Sequence, residues 1–303
     1  MQTTEHKALC RTIMKREIWL ITSEHLEDAL WFPEQSDFKV GMNYVAVLAA
    51  SMSVIILAFV LMSNHVHFII YGTREEALAF VNELKRRMAQ YLKNKYGMDK
   101  TLKSVELDIR PVPVEDDALE RAIAYVQMNP VAANICLNPT QYAWGSGNTF
   151  FNASPEGGKP VSSYTARGLR RLLHSKEKVP GEWLVSVEGF ILPSSYVKAE
   201  FVERHFRTPK RMNFFLANSS KARARLAAGE DSLPSFTDQN VKACVTDLCR
   251  TLYGKKEFSE LEADARREVL RQIRYRFSSN VHQMSRIVGM TYEEVAKIID
   301  SHL

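Results

Sequence analysis

The sequence predicts an α+β chain, an antiparallel sheet sandwiched with helices in its N-terminal half and a mainly helical region after it. Three observations predict this. Two runs rich in Val, Ile, Leu and Phe, SVIILAFVLM and HVHFIIY, meet across the tight turn Ser63-Asn64, as the arms of an antiparallel hairpin do. The segment after them repeats its apolar residues at helical spacing. Strands and helices then alternate as strand, helix, two strands, helix, strand, helix, which is the order of a two-layer α+β unit.

The elements follow in order. Ile18 to Thr22 (IWLIT) reads as a short strand, and Asp37 to Ala50 mixes polar and apolar residues as a helix does. After the hairpin, Thr73 is placed to cap a helix from Arg74 to about Tyr96. Glu76 stands three residues on, and Leu78, Val81, Leu84, Met88, Tyr91 and Leu92 recur on one side. Gly97 ends that helix. Val105 to Val114 alternates like a strand, with Pro111 and Pro113 confining it to a sheet edge. Asp116 opens a last helix carrying Leu119, Ile123 and Val126, stopped at Asn129-Pro130.

A chain of 303 residues with 46% hydrophobic residues can bury a substantial core, and its length suits one large domain or two ordinary ones. The formal net charge of +5 is mildly basic and favours a polyanionic partner only weakly. Cys10, Cys136, Cys244 and Cys249 form no CxxC pattern, which points to a reduced, cytoplasmic protein; the N-terminus carries charges where a signal peptide would be apolar. Val54 to Met62 is too short to span a bilayer, so no membrane partner is expected. We read residues 1–150 as one catalytic domain, 151–163 (containing NASPEGGKPVSS) as a linker and 164–303 as a mainly helical, basic region with runs such as RGLRRLLHSKEK, RHFRTPKR and KARARLAAG.

Chemistry concentrates at two places. In a strand, residues two apart share a face, so His65 and His67 of Asn64-His65-Val66-His67 present two imidazoles side by side while Val66 enters the opposite layer. On a helix, residues four apart share a face, so Tyr125 and Asn129 of Tyr-Val-Gln-Met-Asn-Pro lie one turn apart. Taken singly, each pattern also fits ordinary residues: two unligated histidines, a core tyrosine, an asparagine at a helix stop.

The motifs together resemble a known family. LMSNHVHFII is similar to the signature strand of the IS200-like, single-tyrosine HUH transposases and their REP-associated relatives, with Ser63 where a proline is common. AIAYVQMNPVAANI resembles their second motif, and YAWGS at Tyr142 to Ser146 the segment that often follows. The separation of His65 from Tyr125, sixty residues, is of the family's order. The resemblance covers roughly residues 15 to 150. It implies a ferredoxin- or RRM-like HUH endonuclease fold, with His65 and His67 as metal ligands, Asn129 as the third ligand and Tyr125 as nucleophile. It also implies a 5′-phosphotyrosine formed on single-stranded DNA beside a hairpin. The chemistry fits these residue types: a phosphodiester resists attack because its oxygens are already negative, and a divalent ion on neutral imidazoles keeps its charge for them. A donor set of imidazole and oxygen suits Mg or Mn. A domesticated relative that binds DNA without cutting it is the alternative, and the family's known members leave both monomer and dimer open.

Lys85, Arg86, Arg87, Lys93 and Lys95 on the helix after the histidines are candidate phosphate contacts. Near the end, Val281, Met284, Ile287 and Val288 form one apolar face and Val295, Ile298 and Ile299 another, with Gly289 as the turn and Thr291 and Glu294 as a capping box. RREVLRQIRYRF supplies a third helix, so that 266–303 resembles a helix-turn-helix with Thr291, Tyr292, Glu293 and Lys297 on its recognition helix; a plain helical hairpin is the competing view. Cys244 and Cys249 are read as small core residues.

Overall fold

The computed structural model describes residues 15–23, 30–97, 102, 104–152, 157–220, 238–277, 279 and 281–300. Cys10, the basic run at 221–229 and part of the 151–163 segment lie outside them. The first half is a four-stranded antiparallel sheet of β1 (Glu17–Ser23), β2 (Ile55–Met62), β3 (His65–Gly72) and β4 (Leu107–Pro111), ordered β2-β3-β1-β4. Between them run helices α1 (Gln35–Ser51) and α2 (Arg74–Tyr96), so β1 and β2 flank β3 in the split β-α-β arrangement of ferredoxin-like folds. The expected fold class, with its helical C-terminal region, is the observed one.

Local chemistry explains these elements. The Thr73 hydroxyl accepts from the Glu76 amide at 3.2 Å and the Glu76 carboxylate accepts from the Thr73 amide at 2.9 Å, so α2 begins with both orphan donors satisfied. Gly97 closes it at φ 71°, a left-handed conformation that costs glycine little. Pro111 ends β4, which pairs with β1 alone and therefore tolerates a missing donor.

Helix α3 (Ala118–Gln127) starts two residues later than Asp116, because Asp116 and Asp117 both take positive φ, 53° and 58°. The stop at Asn129-Pro130 is followed by one further turn, α4 (Asn129–Ala132), since proline is acceptable in a first helical turn. Leu119, Ile123 and Val126 of α3 are fully buried in the first core.

Ala143 to Ser146 lies along the outer edge of β2. The Leu61 amide donates to the Trp144 carbonyl at 2.8 Å and the Ser146 amide to the Phe59 carbonyl at 3.0 Å. Gly145 is required there, since a Cβ would stand 2.9 Å from the Phe59 carbonyl oxygen. The segment thus covers an edge that would otherwise offer unpaired backbone groups.

The packing does not divide at 151–163. Phe190, Leu192, Val202, Phe206, Met212 and Phe215 join the first core, and Val161, Leu173, Val185 and Ile191 close over Ala46 and Val47 of α1. These residues come from the short strand β6 (Leu184–Val185), which pairs with the exposed β5 (Lys159–Pro160), from α5 (Ala166–Leu173), α6 (Ala199–Phe206) and α7 (Pro209–Ala217), and from the turns between them. The Gly/Pro-rich composition near 151–163 therefore does not mark the end of a hydrophobic core. A second core is built by α8 (Asp238–Tyr253), α9 (Ala263–Phe277), α10 (Val281–Val288) and α11 (Tyr292–Asp300), around Val241, Leu270, Met284 and Val295. Cys249 is buried in it and Cys244 packs at its margin. Gly289, φ 71°, turns α10 into α11. No helix among the described residues is long and apolar enough to cross a membrane.

Ser146 Oγ accepts from the Phe59 amide at 2.9 Å and from Gln127 Nε2 at 2.8 Å, and donates to the Phe59 carbonyl at 3.2 Å. It is fully buried and ties the end of α3 to β2. Ser146→Ala strands these groups, and is expected to cost about 1–3 kcal/mol, read as a lower urea midpoint at unchanged m-value.

Candidate metal and nucleophile site

β3 is hydrogen-bonded on both edges, so its alternation sorts side chains strictly between two layers. Phe68 meets Phe80 of α2 at a ring-centroid distance of 5.6 Å on one face. On the other face His65 and His67 stand 4.9 Å apart, ring to ring, and the Tyr125 ring of α3 meets His67 edge-on at 5.5 Å. The structure therefore brings together two side chains of β3 and one of α3. His67 is buried, and His65 and Tyr125 are half-buried, which leaves the cluster one open side.

The imidazoles are oriented from behind. His67 Nδ1 lies 3.0 Å from the Thr22 hydroxyl, and His65 Nδ1 lies 2.8 Å from Asn64 Oδ1. Asn64 Oδ1 has only lone pairs to offer, so His65 Nδ1 carries the proton and the ring lone pair falls on Nε2. A Thr22 hydroxyl accepting from His67 Nδ1 gives the same tautomer there. An oxygen partner that fixes the tautomer at Nδ1 is the usual arrangement of metal-ligating histidines, so the donor set fits a divalent ion. Among the described residues no three His, Cys, Asp or Glu side chains gather as a metal site, so an ion on these histidines would need a ligand of another type.

Asn129 is buried one turn beyond Tyr125. Its Nδ2 donates to the carbonyls of Tyr125 at 2.9 Å and Val126 at 3.1 Å, closing the last turn of α3. With the nitrogen so committed, the oxygen is the end of the amide available to a cation.

Sequence patterns missed Thr22, which is found only from the register that sets it opposite His67 on one side and Asp108 on the other. Asn64 has the sequence signature of a turn residue, and its place next to His65 is the signal for its second role. Asp108 and Arg110 of β4, paired at 2.7 Å, were likewise not singled out. Burial pushes the Tyr125 phenol above its ordinary pKa; the Arg110 guanidinium opposes this shift and the Asp108 carboxylate adds to it.

The other predicted contacts lie elsewhere. α2 packs on the Phe68 face, away from the histidines. Lys85 Nζ donates to the Val105 carbonyl at 2.9 Å; Arg86 grips Glu83 through two 2.7 Å bonds; Arg87 bonds Glu83 at 2.9 Å and Glu177 at 2.7 Å. The Arg86 bond, opposed by partial burial and aided by Arg87, holds the Glu83 carboxyl at about 2. Lys93 and Lys95 are in the last turn of α2, Lys95 on the buried Asp37 at 2.6 Å. Thr291 caps α11 reciprocally with Glu294, the Tyr292 ring lies 4.4 Å from that of His282, and Lys297 is exposed on α11, as part of the second helical unit.

No protein-family profile matches this chain, and no curated protein does either. A solved structure of a REP-associated tyrosine transposase bound to a REP hairpin is similar to part of it, with 12% identity and a TM-score of 0.36 over 44% of this chain and 77% of that one. A likeness that distant assigns neither family nor activity.

Because burial disfavours the phenolate, ultraviolet titration of the protein without metal should show a tyrosine, absent in Tyr125→Phe, that ionises above the ordinary value of about 10. Arg110→Ala should raise its midpoint further and Asp108→Ala should lower it; shifts of the opposite sign would show that these charges do not act on the phenol.

Proposed function

We propose that the chain is a metal-dependent single-stranded DNA endonuclease and strand transferase with a tyrosine nucleophile. The observation that supports this reading is the ring cluster itself: Tyr125 against His67 and His67 against His65, assembled from a strand and a helix sixty residues apart.

In this reading His65, His67 and the Asn129 amide oxygen would hold a divalent ion, Mg or Mn, which would supply positive charge to the oxygens of a scissile phosphate. Tyr125 Oη forms a bond to phosphorus as the bond from phosphorus to the 3′ oxygen breaks. The products are a 5′-phosphotyrosine and a strand ending in a 3′-hydroxyl, the phenol proton passing to solvent and the departing 3′ oxygen taking one proton from it. A phenol is protonated at neutral pH and burial makes its ionisation harder still, so attack waits for a bound phosphate and its counter-charge. Since the ester conserves the energy of the broken bond, a 3′-hydroxyl can attack it in turn and transfer the strand without a nucleotide cofactor. Thr22 and Asn64 are positioning residues that keep the imidazoles turned outward.

Labelled single-stranded hairpin DNA incubated with Mn and run on a denaturing gel should yield a covalent adduct in the wild type and none in Tyr125→Phe. His67→Ala should lose cleavage while keeping DNA affinity. Binding with no adduct across many hairpins would favour a DNA-binding protein without the chemistry. Thr22→Val should fold normally and weaken Mn binding about 10- to 100-fold by calorimetry, since the His67 ring loses its orienting partner; unchanged affinity would remove Thr22 from the site.

A further inference from the structure

We infer that α5 and the turn after it form a surface that binds the phosphate backbone of nucleic acid, on the side of the molecule away from the His65–His67–Tyr125 cluster. This deepens the proposed function and takes DNA from it as the polyanion.

Between Lys159 and Val187 there are six lysines and arginines and two acids. Along α5 they are sorted by side. Leu173 is buried, and Leu169 and Leu172 are half-buried against Ala46 and Val47 of α1. Arg167, Arg170 and Arg171, at the i, i+3 and i+4 positions of one helix face, are exposed. Among the described residues none of these three makes an ion pair, nor does Lys176 or Lys178 just beyond, although the α2 arginines nearby are bound to Glu83 and Glu177. Five guanidinium and ammonium groups along one surface, with the neighbouring acid Glu177 held by Arg87, leave a positive field that the protein itself does not neutralise.

The stripe runs into a cleft of 680 Å³ between α2 and the turn after α5, lined by Arg86, Gln90, Tyr91, Asn94, His174 and Lys176 among others. The Tyr91 and His174 rings meet edge-on there at 5.5 Å. Aromatic rings and amides beside a cationic track suit a base next to its phosphates. An anionic membrane is the poorer fit, because the apolar side of α5 is spent on α1 and nothing remains to enter a bilayer. α5 lies on the outer side of α1, which with α2 covers the Phe68 face, so a strand held here reaches the ring cluster only around the sheet edge.

The test is fluorescence anisotropy of the full chain with a labelled DNA hairpin bearing a single-stranded tail, in EDTA so that nothing is cut. Arg167→Ala/Arg170→Ala/Arg171→Ala should bind at least about tenfold more weakly at moderate salt, and the slope of log affinity against log salt should fall by about two to three. Lys242→Ala/Lys255→Ala/Lys256→Ala, which removes the same charge from exposed positions of the second helical unit, should bind as the wild type does. Equal loss in both variants, an unchanged slope in the first, or wild-type binding to phosphatidylserine vesicles but not to DNA would overturn the inference. Adduct formation with Mn on a short single strand, measured on the same proteins, reads the other site separately. Binding through the arginines with no adduct refutes the nuclease reading alone; an adduct with undiminished hairpin affinity in the arginine variant refutes this surface alone.

Discussion

The structure depends on β3 being an interior strand. Its pairing with β1 and β2 sets the register from both sides, so His67 and Phe68 must enter opposite layers. A slip of one residue would drive both imidazoles into the core under α2 and turn Phe68 away from Phe80, and the loss of that apolar packing opposes it. The chemistry-bearing face is thus held in place by the packing of the other face. The same register puts Thr22 opposite His67, where a buried imidazole needs a polar partner.

The second half of the site comes from α3, a ten-residue helix that does little to hold itself. It begins on two aspartates in left-handed conformation and has no side-chain cap. Its placement is imposed from outside. At its start Arg211 of α7 reaches Asp117 at 2.6 Å and Glu120 at 3.2 Å; at its end Gln127 is held by Ser146. Residues well beyond the Tyr motif therefore position Tyr125, which is why the first core continues to Phe215.

The distribution of charge says more than its sum. On α2 the cations serve as internal ties: Arg87, with a side chain only 15% exposed, joins α2 to the turn carrying Glu177, and Lys95 joins it to the start of α1. Such groups have already exchanged water for protein acids and have little left to offer a ligand. The arginines of α5 have not. Two basic segments that look alike in composition differ in whether an acid stands within reach.

By itself the sequence determined what is local. Hairpin, caps, the shared face of His65 and His67 and the one-turn spacing of Tyr125 and Asn129 are all carried by periodicity and by neighbours within four residues, so they could be read directly, as could the second helical unit with Gly289 between its last helices. The tertiary structure alone decided which distant groups meet. It set Thr22 behind His67, brought Asp108 and Arg110 near Tyr125, folded 159–216 onto the first core across what looked like a linker, and paired Arg86, Arg87 and Lys95 of α2 with acids while, among the described residues, giving the α5 arginines no ion pair. The reason is physical: periodicity says which way a side chain points, but its partner is chosen by strand register and by the packing of segments far apart in the chain, which no local pattern encodes.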